Sequence, residues 1–129
     1  MPNNPKEYKY SKDHEWLRIE DDGTTTVGIT TYAVEHLGDM VFVDLNEAGG
    51  TIKQNDSAGT LESVKAAADL FTPIGGEIIA RNDAVIDDPA ALNQDAFAAW
   101  LIKVRPDNLE ADLASLMSSD EYDDYEASQ

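Results

Sequence analysis

The sequence of 129 residues contains no cysteine and only two histidines. Without cysteine it can form neither a disulfide framework nor a thiolate metal site, and it offers no thiol nucleophile. Any sulfur redox chemistry would have to come from an attached group. The length suits one domain with a real hydrophobic core and is short for a catalytic fold with an additional carrier module.

Basic residues are also scarce. Nine Lys and Arg face 26 Asp and Glu, which gives a formal net charge of -17. Proteins that bind nucleic acid need clustered basic side chains, so this class of function is excluded, and an anionic membrane surface is disfavoured for the same reason. The acidity indicates solubility for most of these residues and, for some, steering towards basic faces of partner proteins.

No apolar run reaches the length of a membrane-spanning helix. The first residues, up to Lys12, are polar and resemble neither a signal peptide nor a transit peptide. We therefore expect the protein to work where it is made. That would be a bacterial-type cytoplasm, or the mitochondrial matrix if the sequence is a mature eukaryotic form.

Short strand-forming stretches separated by turn signals make up the middle of the chain. Thr24 to Ile29 is rich in Thr, Val and Ile, and Val41, Val43 and Leu45 alternate with other residues. Asp22-Gly23 is a typical hairpin turn. This pattern predicts a mainly β fold, a sandwich or barrel of short antiparallel strands.

Three short helices are predicted between and after the strands. The first spans 31–37, with Thr30 or Thr31 as its N-cap and Gly38 at its end. Asp88-Pro89 predicts the start of a second helix, over 89–93. The third is a C-terminal helix near 107–118, where leucines recur at helical spacing.

The whole chain, 1–129, is predicted to be a single carrier domain. Its core covers about 8–117, and an acidic C-terminal tail covers 118–129. The tail is expected either to form a helical turn packed by Tyr122 and Tyr125 or to be frayed.

Lys65 is the one basic residue between Lys53 and Arg81, and three alanines follow it. A lysine at the tip of a hairpin is exposed on a long stem, where a modifying enzyme can reach it. Acylation would turn its ammonium into an amide and remove its charge. Spacing alone does not separate this lysine from an ordinary surface lysine.

The segment Glu62-Ser63-Val64-Lys65-Ala66 resembles the lipoylation motif of glycine cleavage system H proteins. The resemblance continues in order from about Tyr8 to Met117. Further matching blocks are His14-Glu15-Trp16, Val27-Gly28-Ile29-Thr30, His36-Leu37-Gly38-Asp39, Val41-Phe42-Val43-Asp44-Leu45, Phe71-Thr72-Pro73 and Trp100-Leu101-Ile102-Lys103. The chain departs from the usual family pattern at Ala68, Gly75-Gly76 and Ala96-Phe97-Ala98-Ala99, which affects the expected loop geometry there and leaves Lys65 untouched.

The resemblance implies the flattened barrel sandwich of lipoyl and biotinyl carriers. It implies lipoate attached covalently to Lys65, with Glu62, Ser63, Val64 and Ala66 as the surrounding motif. It further implies a cleft, lined by Glu15, His36 and Asp69, that shelters the loaded arm. Such a protein is a shuttle without catalytic residues or a metal site of its own.

The resemblance also implies partners. A glycine decarboxylase with pyridoxal phosphate would load an aminomethyl group onto the arm. A tetrahydrofolate-dependent aminomethyltransferase would unload it, dihydrolipoamide dehydrogenase would reoxidise the arm, and lipoate-attaching enzymes would install it. A monomer is expected, because the carrier must visit several enzymes.

Other functions fit the sequence less well. His14-Glu15 lacks the second histidine of a zinc protease, since Arg18 stands there, and no acid/base set can be assembled around His14 and His36. The lipoyl domain of a 2-oxoacid dehydrogenase would have Asp at Val64, and a biotin carrier would have Met on both sides of the lysine. An acidic interaction module would not explain the ordered blocks. A stand-alone H-like carrier that serves lipoate relay or another lipoyl pathway stays open.

Overall fold

The computed structural model describes residues 4–129 and consists mainly of short antiparallel strands. The strands are β1 (Lys9–Tyr10), β2 (Glu15–Ile19), β3 (Thr25–Ile29), β4 (Met40–Leu45), β5 (Thr51–Ile52), β6 (Ser57–Ser63), β7 (Ala67–Phe71), β8 (Gly76–Arg81) and β9 (Ile102–Pro106). The helices are α1 (Thr31–Leu37), α2 (Asp83–Asp87), α3 (Ala91–Gln94), α4 (Leu109–Leu113) and α5 (Ser119–Ala127). The predicted mainly β class is confirmed.

The strands form two antiparallel sheets. One has six strands in the order β1-β2-β3-β9-β8-β5, and the other has three in the order β4-β6-β7. One hydrophobic core cluster joins them, since Val43, Leu61 and Leu70 of the small sheet belong to the same buried cluster as Leu17 and Val27 of the large one. Within the described residues the arrangement is a sandwich, and neither sheet closes into a barrel.

Helix α1 confirms the first predicted helix. The hydroxyl of Thr30 accepts a hydrogen bond from the backbone N–H of Ala33 at 3.2 Å, which caps the N-terminus. Gly38 ends the helix with φ +88° and ψ -156°, a backbone conformation that residues other than glycine rarely adopt. The end of this helix lies directly before β4.

The second predicted helix differs in its start. Asp88 is the C-terminal cap of α2, a helix that the sequence pattern did not predict, and α3 begins only at Ala91. Pro89 therefore lies in the turn between two short helices. The side chain of Asn82 caps α2 by accepting from the N–H of Ala84.

The helix predicted near 107–118 is present in a shorter form, as α4 over Leu109–Leu113, and the predicted tail contains a further helix, α5. Met117 leaves the helical path because it pairs with Tyr10: each N–H donates to the other residue's carbonyl, at 2.8 and 2.9 Å. Ser118 and Glu121 then form a capping box that starts α5. The predicted core boundary at residue 117 leaves out Tyr122 of α5, which is fully buried against Tyr10 at a ring distance of 4.7 Å.

No helix within residues 4–129 combines the length and the apolar character needed to cross a membrane.

Candidate functional site

The tip of the β6–β7 hairpin is held by hydrogen bonds to its backbone. Glu62 pairs with Ala67 at the end of the ladder, so the turn comprises Val64, Lys65 and Ala66. The hydroxyl of Ser63 accepts from the N–H groups of Lys65 at 3.3 Å and of Ala66 at 3.0 Å, and the N–H of Ser63 donates to the Ala66 carbonyl at 2.7 Å. Serine is thus the residue that shapes this turn.

A second anchor joins the tip to the segment after α1. The N–H of Val64 donates to the carbonyl of Asp39 at 3.0 Å. The side-chain amide of Asn93 on α3 grips the same segment, because it donates to the Gly38 carbonyl at 2.9 Å and accepts from the Met40 N–H at 2.9 Å. The hairpin tip therefore rests on a backbone segment that is itself clamped.

Lys65 is exposed at this tip, and its stem lies over Gly38. Its Cε would be 3.1 Å from a β-carbon placed on Gly38, so the missing side chain there makes room for the lysine. Within residues 4–129 no carboxylate lies within 4.0 Å of its Nζ. The amine is thus accessible and has no ion-pair partner in the described part of the chain.

A cleft of about 410 Å³ lies beside α1. Its lining includes Leu37, the last residue of α1, and Ala68, on the strand that follows the Lys65 turn. This volume is within the roughly 300–1,000 Å³ of small-molecule pockets. The polar groups of its lining include those of three aromatic side chains, Tyr32, His36 and His14. The rings of Tyr32 and His36 stack at 4.3 Å, with the Tyr32 hydroxyl 3.3 Å from Nε2 of His36, and the ring of His14 lies 4.6 Å from that of Tyr32.

His14 is fixed on the wall of the cleft by the C-terminal helix. Its Nδ1 lies 2.7 Å from the hydroxyl of Tyr122, which is also 2.8 Å from the hydroxyl of Thr30. The backbone of His14 has φ 68°, which is unusual for a residue other than glycine. Burial lowers the pKa of His14, and the neighbouring His36 lowers it further.

The three predicted cleft residues are placed differently. His36 lines the cleft, whereas Glu15 and Asp69 are not among its lining residues. Asp69 is exposed on β7 opposite Thr60, and its neighbour Ala68 faces the cleft instead. The role of all three in sheltering an arm stays a prediction.

Glu15 points into the protein. It is only 2 % exposed, and its carboxyl accepts from the hydroxyl of Ser11 at 2.5 Å. Burial raises the pKa of this carboxyl to about 8, although the hydrogen bonds from Ser11 and from the backbone of Phe71 oppose the shift. Glu15 is thus a buried acid that follows the cleft residue His14 in the chain.

Sequence reasoning missed Asp13 and Tyr32 as cleft residues and did not place His14 there. One signal was available, because Tyr32 and His36 are four residues apart on a predicted helix and so share one face. The contribution of His14 could not be foreseen, since it depends on Tyr122 from the other end of the chain.

Apolar side chains are exposed around the hairpin tip. Val41, Phe42 and Val64 are 56 %, 49 % and 69 % exposed, and the one other large hydrophobic residue with comparable exposure in the described chain is Ile19, at 43 %.

Residues 4–129 contain no set of three or more His, Asp or Glu side chains arranged to hold a metal ion.

Comparison with known proteins adds to this geometry. Residues 8–129 match the family described as "Glycine cleavage H-protein". The chain belongs to this family. The resemblance stated from the sequence is thereby confirmed, and members of the family are carrier components of the glycine cleavage system.

Individual members of the glycine cleavage H-protein family are similar over nearly their whole length. The chain is 49 % identical over 123 residues to a glycine cleavage system H protein of Psychrobacter sp., covering 95 % of this chain and 97 % of that one. It is 52 % identical over 124 residues to the H protein of Salmonella arizonae, covering 95 % of both. The crystal structure of an H protein from Mycobacterium marinum superimposes with a TM-score of 0.87 at 38 % identity, covering 96 % of this chain and 99 % of that one.

Proposed function

We propose that this chain carries a lipoyl group on Nζ of Lys65 and shuttles an aminomethyl group between the enzymes of glycine cleavage, without catalysing a step itself. The observation that carries this proposal is the position of Lys65. It is an exposed amine without an ion-pair partner in the described chain, at the tip of a hairpin whose backbone is held by Ser63 and Asp39.

The residues around Lys65 fit an attached acyl group. An amide forms when Nζ attacks an activated lipoyl carbonyl, such as that of an acyl adenylate; AMP leaves and a proton is released. The positive charge of Lys65 is lost in this step. The Ser63 hydroxyl holds the conformation of the turn by its hydrogen bonds. The small side chains of Ala66 and Ala67 leave space around the amine for a modifying enzyme.

The chemistry of the cycle would come from the bound lipoyl group, whose disulfide and dithiol forms accept, carry and release the one-carbon unit. The chain contributes the tether. A group held on Lys65 has a high effective concentration at each enzyme that binds the domain. The partners in this proposal are a pyridoxal-phosphate-dependent glycine decarboxylase, a tetrahydrofolate-dependent aminomethyltransferase, dihydrolipoamide dehydrogenase and a lipoate-attaching enzyme.

The cleft beside α1 would shelter the loaded arm. The aminomethyl group carries an amine that is cationic near neutral pH, and the cleft offers the Asp13 carboxylate together with the polar edges of Tyr32 and His36. Enclosure in a site with an apolar lining shields an adduct from water. Glu15, as a buried acid, and Asp69, on strand β7, would also help to hold the arm.

The test is the intact mass of the protein after incubation with a lipoate-activating ligase, lipoate and ATP. We expect one lipoyl increment in the wild type and none in Lys65→Arg. Lys53→Arg is the matched control, because Lys53 is also an exposed lysine close to a turn, and it should be modified like the wild type. An unmodified wild type, or modification that survives Lys65→Arg, would contradict the proposal.

A second assay separates glycine cleavage from other lipoyl pathways. Lipoylated protein should support the exchange of bicarbonate into glycine by glycine decarboxylase. A carrier for lipoate relay or for another dehydrogenase would be lipoylated and yet inactive in this exchange.

A further inference from the structure

The exposed apolar residues of this protein are concentrated beside Lys65. We call Val41, Phe42 and Val64 the apolar patch. A monomer with a well-formed core has no structural need to expose three large hydrophobic side chains in one place, and such patches mark interaction sites. Ile19, the fourth exposed large hydrophobic residue within residues 4–129, lies on β2 in the other sheet, apart from the patch.

A bulge in β4 creates the patch. Met40 pairs with Ser63 and Phe42 with Glu62, so Val41 is an additional residue between two consecutive pairs. A bulge re-aims side chains, and here it leaves both Val41 and Phe42 exposed. The bulge lies on the edge strand of the small sheet, next to the hairpin tip.

Three carboxylates lie on the same outer face of the small sheet as Phe42. Phe42 lies opposite Glu62, and two residues further along the strands Asp44 and Asp69 both lie opposite Thr60. All three acids are exposed, and within residues 4–129 none of them forms an ion pair. An aromatic residue among unpaired carboxylates is complementary to an apolar pocket bordered by Arg or Lys.

The reach of Lys65 indicates which partner binds here. Before modification Nζ extends only as far as its four-carbon stem, and that stem lies against Gly38. An enzyme that acylates Nζ must therefore bring its active site onto the hairpin tip, beside Val64. Enzymes that act later meet a group at the end of a longer arm and need no such close approach.

We infer that the apolar patch is the docking surface for the enzyme that acylates Lys65. Phe42 inserts into an apolar pocket near that enzyme's active site, and Asp44 and Asp69 face basic side chains at the edge of the pocket. The inference rests on the proposed function for the modification itself. It adds that the modifying enzyme recognises strand β4, which lies outside the motif around the lysine.

The first experiment measures binding and acylation of the full-length unmodified protein with a lipoate-activating ligase as the probe. Phe42→Ser is compared with Ile19→Ser, which removes a similarly exposed residue from the other sheet. We expect Phe42→Ser to raise the Kd for the ligase and the KM for acylation about tenfold or more, with little change in kcat, because truncation of a central aromatic anchor has effects of this order. Ile19→Ser should change both constants less than about twofold, as a residue outside the interface does.

Two controls separate docking from misfolding. The melting temperature of each variant shows whether it is folded. Reaction of Lys65 with a small acylating reagent, followed by peptide mass mapping, shows whether the amine is as accessible as before. Both should be unchanged in Phe42→Ser if Phe42 contacts the enzyme, whereas a disturbed hairpin would alter the small-reagent rate.

A charge experiment tests the acidic surround. Asp44→Asn with Asp69→Asn should weaken binding to the ligase at low salt and flatten its dependence on NaCl concentration, because screened attractions are removed. Asp21→Asn with Asp124→Asn removes the same charge from exposed positions on the β2–β3 turn and on α5, and should leave the salt dependence as in the wild type.

Several results would overturn the inference. Equal binding of Phe42→Ser and wild type is one, and equal losses in Phe42→Ser and Ile19→Ser is another. A wild type that dimerises in analytical ultracentrifugation while Phe42→Ser is monomeric would assign the patch to a second copy of the chain. Failure of the ligase to modify even the wild type would count against the proposed function, which is a different outcome from a modified wild type with an indifferent Phe42→Ser.

Discussion

The stem of Lys65 lies in the space that a side chain at position 38 would occupy. Its Cε is 3.1 Å from the ideal β-carbon position of Gly38, and Gly38 itself has φ +88°. Two separate requirements thus fall on one glycine, one from the backbone at the end of α1 and one from the lysine that crosses it.

We expect Gly38→Ala to lower the free energy of unfolding by about 1–3 kcal/mol, the usual cost of this backbone region for other residues. It should also slow lipoylation, because the lysine stem is displaced. Urea unfolding and a lipoylation time course measure the two effects. Gly23→Ala is the control: Gly23 has φ +89° and no atom within 4 Å of an added β-carbon, so it should lose stability without a change in lipoylation rate.

Asn93→Ala should loosen the segment beneath the hairpin tip, since both amide hydrogen bonds to the Gly38–Met40 backbone are lost. We expect a loss of about 1 kcal/mol in the free energy of unfolding and faster hydrogen exchange at the Val64 amide. Asn82→Ala is matched, because Asn82 likewise donates to one carbonyl, that of Trp100, and accepts from one N–H. Equal exchange rates at Val64 in the two variants would contradict a clamp by Asn93.

Glu15 should make stability depend on pH. Burial raises the pKa of Glu15 to about 8 in the folded protein, against 4.5 for an ordinary glutamate, so the folded state keeps the proton that the unfolded chain releases. The contribution of Glu15 is therefore present below about pH 4.5 and is lost as the pH rises towards 8. Each unit of difference in pKa between the folded and unfolded states corresponds to about 1.4 kcal/mol in the free energy of unfolding.

The Glu15 effect is measured as the difference in unfolding free energy between wild type and Glu15→Gln, at several pH values from 5 to 8. The wild type should lose stability relative to the variant across this range. His14, whose lowered pKa destabilises the fold as the pH falls, contributes to both proteins and cancels in the difference. A constant difference from pH 5 to 8 would mean that Glu15 ionises as it does in the unfolded chain.

Tyr122→Phe should destabilise the protein by about 1–2 kcal/mol, because its buried hydroxyl bonds to both His14 and Thr30. The stacking of the ring on Tyr10 is retained. Tyr125→Phe removes a single hydrogen bond, to the Lys12 carbonyl, at a more exposed position and should cost less. Thermal unfolding compares the two variants, and the order of their melting temperatures decides the point.

Local patterns in the sequence predicted those elements whose signals are local. Helix α1 follows from a capping threonine and a terminal glycine, and strands β3 and β4 follow from strand-forming residues and turn signals. The C-terminal region did not follow in the same way. Leucine spacing predicted a helix near 107–118, but α4 ends at Leu113. Met117 pairs instead with Tyr10, a contact between residues that are far apart in the chain.

The candidate site shows the same division. The position of Lys65 at the tip of a hairpin was predictable, since the segment is local and resembles a known family, and its modification stays a prediction. The cleft was predicted only in His36, because its other wall residues depend on how β2, α1 and α5 meet. Glu15 is the clearest case: the family resemblance implies that it lines the cleft, and in the structure its buried carboxyl accepts from the hydroxyl of Ser11, so its role towards the arm stays a prediction.

Backbone N–H groups of the hairpin tip donate to the Ser63 hydroxyl and to the Asp39 carbonyl, and these hydrogen bonds restrict the backbone of the tip. The configurational entropy of any group attached there therefore resides in the torsions of the side chain and not in the loop. Such a group moves about a nearly fixed attachment point, and its effective concentration at a docked active site depends on the length and stiffness of the arm and on the docking orientation. Lengthening or stiffening the arm would retune delivery to every partner at once, whereas changes elsewhere on the surface would act on one partner at a time.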